Sequence, residues 1–191
     1  MSVCDIVTIG DPVLRERARG VTPEELRSPE VQELIDDLIE TRRAANGAGL
    51  AANQVGEMLR IAVAQVQGIN PRYPYKQPIP LTVMVNPAIE PAGEEMVAIN
   101  EGCLSVPGLR GYLERHAKVR VRYLDRDGNE RDEVKSGLTA GTFQHEVDHL
   151  DGVLFVDRAD PRTLATWDEY ERHQRAEFEE RARAIVARYG S

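Results

Sequence analysis

The chain has 191 residues, 41% hydrophobic and 29% charged, an ordinary balance for one globular domain spanning residues 1–191. A formal charge of −8 argues against nucleic acid as the main ligand, because phosphate binding calls for a basic field. No window approaches the ~18 apolar residues of a membrane span, the opening "MSVCDIVTIGDP" lacks the basic-then-apolar pattern of a signal peptide, and Cys4 and Cys103 make no disulfide framework, so a cytoplasmic protein is expected.

In chain order, Ser28 and Pro29 open a helix as N-cap and first helical residue. Val31, Leu34, Ile35, Leu38 and Ile39 then recur at helical spacing, and Asn46-Gly47 ends the run. Strand-like runs follow at 60–66, 81–87 and 95–100, the first two separated by a Pro-rich surface loop at 67–80. Residues 118–124 alternate strictly, and "DRDGN" reads as the hairpin turn into "ERDEVK". A helix from about Gly137 to Leu150 comes next. It is followed by a short strand, "GVLFV", and one long helix over 164–189. Strands first, with helices interspersed but no regular βαβ alternation, predict an α+β fold. The expected architecture is small mixed or antiparallel sheets around a central helix, with a long C-terminal helix from about residue 161.

The central helix carries His145, Glu146 and His149, spelling H-E-x-x-H. Residues four apart share a helix face, so the two imidazoles can point at one ion, while Glu146 reaches a water on that ion without being a ligand. Gly152 stands where an extended version of the motif has its Gly, but the third-His position is Phe155. Two kinds of third donor are open. One is Glu169 or Glu171 on the terminal helix, giving a peptidase-type His₂Glu site. The other is Cys103 in "NEGCLSVPGLR", a segment that Pro107 keeps from being helical at Val106. A closed structural site recruiting Cys4 lacks zinc-finger spacing. A third stretch, "NGAGLAANQVG" at 46–56, has neither a dinucleotide fingerprint nor a P-loop Lys, and reads as a Gly-hinged loop delivering the Gln54 amide.

Together these three stretches resemble the peptide deformylase family, whose motifs are G-x-G-L-A-A-x-Q, E-G-C-L-S and Q-H-E-x-D-H-L. The chain matches them at Gly47–Gln54, Glu101–Ser105 and Gln144–Leu150, in that order, and the likeness runs to about Asp157. Position 48 departs, being Ala where the family usually has a β-branched residue, and nothing beyond residue 160 matches a motif.

The resemblance implies that Cys103, His145 and His149 hold a divalent metal, Fe(2+) in the cell with Zn(2+), Ni(2+) or Co(2+) accepted, and that Phe155 is a core residue. It implies hydrolysis of the formyl group from the N-terminal formyl-methionine of newly made polypeptides, releasing formate, with a metal-activated hydroxide as nucleophile. Glu146 would be the general acid/base, and the Gln54 amide and the Leu104 N–H would face the oxyanion. Gly49 would let the backbone approach the substrate. Leu138, Gly141 and Thr142 precede His145 on the same helix face and can line a slot for the first side chain, with Ala48 and Ile99 added from the resemblance. The small Ala48 and Gly141 predict a roomy slot. Arg110 is expected on the substrate backbone, and Glu101 on the substrate side while pairing with Arg115 to brace the Cys loop. The expected partners are formyl-Met nascent peptides and the ribosome, with no nucleic-acid or membrane function, and the expected state is a monomer.

Overall fold

The computed structural model describes residues 2–68 and 74–190, so part of the expected 67–80 loop lies outside the described residues. In chain order the elements are α1 (Pro23–Leu26), α2 (Pro29–Ala44), β1 (Gly49–Ala51), β2 (Ile61–Val66), β3 (Ile79–Pro91) and β4 (Met96–Cys103). They continue with β5 (Val106–His116), β6 (Lys118–Leu124), β7 (Glu130–Ser136), α3 (Gly137–Leu150), β8 (Ala165–Thr166), α4 (Trp167–His173) and α5 (Arg175–Tyr189). All ladders are antiparallel, in a five-stranded sheet ordered β1-β2-β3-β6-β7 and a three-stranded sheet ordered β4-β5-β8.

Helix α2 starts as expected, Ser28 Oγ accepting from the Val31 N–H and Pro29 at the first turn. It ends where Asn46 takes a left-handed conformation, φ 52°. Its buried stripe, Val31, Ile35, Leu38 and Ile39, packs on β1, β2 and β3 through Leu50, Ile61 and Val85. The 125–129 turn closes with Gly128 at φ 85°.

Helix α3 is buried on nearly every side, which demands small or apolar residues around its whole circumference. Ala140, Phe143 and Leu150 press on the five-stranded sheet at Ala62, Met84 and Val121, while Leu138 faces the terminal helices. Its rotation is pinned by Gln144, whose Nε2 donates to the His116 carbonyl at 2.9 Å and whose Oε1 accepts from the His116 N–H at 3.1 Å.

Three features depart from expectation. Strand β5, which pairs along nearly all of β4, carries Pro107, Gly108 and Gly111 and so shows no period-2 apolar signal. The expected "GVLFV" strand does not form. Gly152 has φ 76° and lies against the Arg15 carbonyl, which turns the chain out of extended geometry, and Leu154 and Phe155 both go into the core. Phe155 begins a single 3₁₀ turn, Phe155–Asp157, instead. The long terminal helix is two helices, because Gln174 leaves helical geometry at φ −119°. The break lets Tyr170 of α4 and Phe178 of α5 both bury against Ile99 and Leu138.

Phe178 is wholly buried, with its ring 5.0 Å from that of Tyr75 and 5.8 Å from that of Tyr112. Phe178→Ala is expected to destabilise the fold by about 3–5 kcal/mol in urea unfolding, since a buried ring leaves a cavity. A loss under about 1 kcal/mol would show that the terminal helices do not share the core.

Candidate metal centre

The turn between β4 and β5 and the second half of α3 bring three donors together. Cys103 Sγ, His145 Nε2 and His149 Nε2 lie within 4.8 Å of one another, with Sγ 3.1 Å from His149 Nε2 and the two imidazole nitrogens 3.3 Å apart. Among the described residues this is the one such cluster. Glu169 and Glu171 pair with Arg172 and Arg175 on the terminal helices, and Cys4 is not in the cluster.

His145 is oriented from behind. Its Nδ1 is 2.8 Å from Glu101 Oε2, so Nδ1 carries the proton and Nε2 presents a lone pair. Glu101 in turn takes two hydrogen bonds of 2.9 Å from Arg115, and Arg115 also reaches Asp148 on α3. Burial would raise the Glu101 carboxyl, but Arg115 and His145 hold it well below the usual carboxylate range. Both Glu101 oxygens are engaged by Arg115 and His145, and the residue also borders the cavity described below. Its pairing with Arg115 is present as expected.

Cys103 is likewise organised. The Ser105 N–H donates to its sulfur at 3.4 Å, and burial, which would raise the thiol, is outweighed by His149 and His145, which hold it well below its ordinary value. Gln54 sits against the same sulfur: Nε2 is 3.6 Å from Sγ and 3.0 Å from Ser105 Oγ, and Oε1 accepts from the Ala51 N–H at 2.9 Å. Leu104 lies in the two-residue turn between Cys103 and Val106. A soft sulfur and two imidazoles with converging lone pairs suit a divalent transition metal and leave coordination positions open.

Glu146 is 3% exposed, and its Oε2 is a buried carboxylate oxygen without a hydrogen-bond partner among the described residues. Burial pushes its carboxyl up, against the pull of His145 and His149. The reason for Gly49 is now visible: a Cβ there would stand 2.1 Å from Glu146 Oε1, so only Gly leaves room for that carboxylate.

A narrow cavity of about 60 Å³ opens beside these groups, with Ala48, Ile99, Leu138, Gly141 and Thr142 among its walls. The room expected at Gly141 is filled, because Ile99 Cδ1 lies 2.6 Å from where a Cβ would be. Arg110 also borders the cavity, yet it is only 2% exposed. Its guanidinium bonds Asn100 at 2.7 and 2.8 Å and lies over the rings of Tyr170 and Trp167, 4.4 and 4.9 Å from their centroids, so the expected substrate contact is not its present engagement. Sequence reasoning assigned no role to Ser105, Asn100 or Lys76. Ser105 lies inside a matched motif, while Lys76 sits in a Pro-rich stretch that carries no signal.

The polypeptide deformylase family model matches residues 3–165. The chain is 41% identical over 169 residues to a peptide deformylase of Leptospira biflexa, covering 88% of this chain and 94% of that one. It is 43% identical over 167 residues to peptide deformylase 2 of a Nostoc species, covering 87% and 92%. Among solved structures it is similar to the Met-Ala-Ser-bound class I type b peptide deformylase of Acinetobacter baumannii, with a TM-score of 0.79, 41% identity, and 83% and 99% of the two chains covered. A peptide deformylase of Synechococcus elongatus in complex with actinonin gives a TM-score of 0.73 at 32% identity over 98% and 86%.

Removing the charge behind His145 tests how the donor set is held. Glu101→Gln is expected to weaken zinc binding by about 10–100-fold in a chelator competition. Affinity within about twofold of the unaltered protein would mean that the carboxylate does not set the imidazole.

Proposed function

The chain belongs to the peptide deformylase family, and from that premise we propose that it removes the formyl group from the N-terminal formyl-methionine of newly synthesised polypeptides, releasing formate. The observation that carries the reading is the unpartnered, buried Glu146 Oε2 beside three convergent metal donors. Cys103, His145 and His149 would hold the ion, Fe(2+) in the cell, with Zn(2+), Ni(2+) or Co(2+) as substitutes. When bound, it supplies a Lewis acid that acidifies water and polarises the formyl carbonyl.

The chain's own groups do the rest. Glu146 takes a proton from the attacking water at Oε2 and returns it to the leaving amine; burial raises its carboxyl, which favours the uptake and holds the proton until the amine leaves. Gln54 and the Leu104 N–H meet the oxyanion. The long 3.6 Å contact from Gln54 Nε2 to sulfur is the weaker of its two, and is the one exchanged for the oxyanion. Gly49 keeps the space in which Glu146 works. Ala48, Ile99, Leu138, Gly141 and Thr142 take the first side chain, and a flexible thioether suits such irregular apolar walls. Arg110 reaches the peptide backbone only by leaving Asn100 or sharing it. We place all of this in one catalytic domain over residues 1–191, acting as a cytoplasmic monomer on chains leaving the ribosome. No helix among the described residues is long and apolar enough to cross a membrane.

The test is formate release from a formyl-Met peptide by anaerobically prepared protein, beside metal analysis of the same sample. The unaltered protein is expected to release formate. Glu146→Ala is expected to keep its metal and lose activity by at least ~10². Full metal with a smaller loss would remove Glu146 from proton transfer.

A further inference from the structure

One charged side chain borders the slot without any part in the chemistry above. Lys76 lies in the same cavity wall as Ala48, Ile99, Leu138 and Gly141. Its Nζ donates to Thr142 Oγ1 at 2.6 Å, and that hydroxyl in turn donates to the Leu138 carbonyl at 3.2 Å. Thr142 is 5% exposed and lies one turn before His145 and Glu146, so the ammonium is anchored on the helix face that carries the metal donors. Burial lowers this ammonium to about 8, while Glu101 and Glu146 pull it the other way, and it therefore keeps its charge at neutral pH.

A cation beside the apolar walls of Ala48, Ile99 and Leu138 is a strong donor, and it discriminates by whether the occupant carries an acceptor. The thioether of methionine is a weak acceptor. One oxidation step on, methionine sulfoxide keeps the chain length and adds a polar oxygen that accepts strongly. We propose that Lys76 is a specificity-determining residue that makes the slot accept formyl-methionine sulfoxide, so that nascent chains with an oxidised first residue are also deformylated. Only the formamide bond is split, water supplying the oxygen of formate and the amine taking the proton. The sulfoxide is unchanged.

This inference rests on the deformylase reading, and its test separates the two. Formate release is followed from formyl-methionine sulfoxide-Ala-Ser and from formyl-norleucine-Ala-Ser, which has the same reach and no side-chain acceptor. In the unaltered protein, kcat/KM for the sulfoxide is expected within about tenfold of that for norleucine. Lys76→Met is expected to lower the sulfoxide-to-norleucine ratio at least about tenfold, and Lys76→Arg to recover most of it. Thr142→Val, which removes the anchoring hydroxyl, is expected to lower the same ratio. A ratio unchanged by Lys76→Met and Thr142→Val, or an unaltered protein that favours norleucine by more than about tenfold, overturns the role of Lys76. Formate from formyl-Met-Ala-Ser with none from the sulfoxide peptide overturns the role of Lys76 alone, whereas no formate from formyl-Met-Ala-Ser overturns the deformylase reading itself.

Discussion

The carboxylate of Glu101 is buried between the guanidinium of Arg115 on the neighbouring strand and Nδ1 of His145 on the central helix, and the donor cluster depends on that contact. It ties β4, β5 and α3 together two residues before Cys103, so one ionic node sets both the imidazole's tautomer and the separation of turn and helix. Such a node is stable only when every charge in it is matched; removing one partner of a buried pair typically costs about 3–5 kcal/mol. Asp148 completes the balance by taking both Arg115 and Arg158 one residue before His149. Gln144, clamped to both main-chain groups of His116, holds the same helix from the other side. Residues within the Q-H-E-x-D-H run thus do two kinds of work: His145 and Glu146 border the cavity and His149 completes the donor cluster, while Gln144 and Asp148 hold the helix that presents them.

Much of this was legible in the sequence because the signals were local. The α2 cap, the 125–129 turn and the spacing of His145 and His149 each follow from a few neighbouring residues, and the structure has all three. What was not legible depends on long-range contacts. β5 is a strand because β4 lies beside it, despite its Pro and glycines. "GVLFV" is apolar because Leu154 and Phe155 both enter the core around Cys103 and Leu14, a need that mimics a strand in composition alone. The break at Gln174 answers two separate burial demands, Tyr170 over Arg110 and Phe178 behind Leu138, and no helix breaker announces it.

Small residues here report on their neighbours more than on empty space. Gly49 exists for the Glu146 carboxylate, and Gly141 is covered by Ile99, so a glycine read as spare volume was volume already used. The terminal helices show the same interdependence. They lie wholly beyond the family match at residues 3–165, yet Tyr170, Phe178 and Ile185 back the cavity-lining Ile99 and Leu138, and Trp167 with Tyr170 covers Arg110. The cavity's shape in this chain is therefore set partly by a segment that the shared motifs do not include.

The central claim is that one thiolate and two imidazoles hold the ion, with Glu146 beside it and unligated. X-ray absorption at the zinc edge of the zinc-loaded protein tests it most directly. The account predicts one sulfur scatterer at about 2.3 Å, two imidazole nitrogens at about 2.0–2.1 Å, and a further light ligand from solvent. A first shell with no sulfur, or with two, would contradict it, the first by removing Cys103 from the centre and the second by bringing in Cys4.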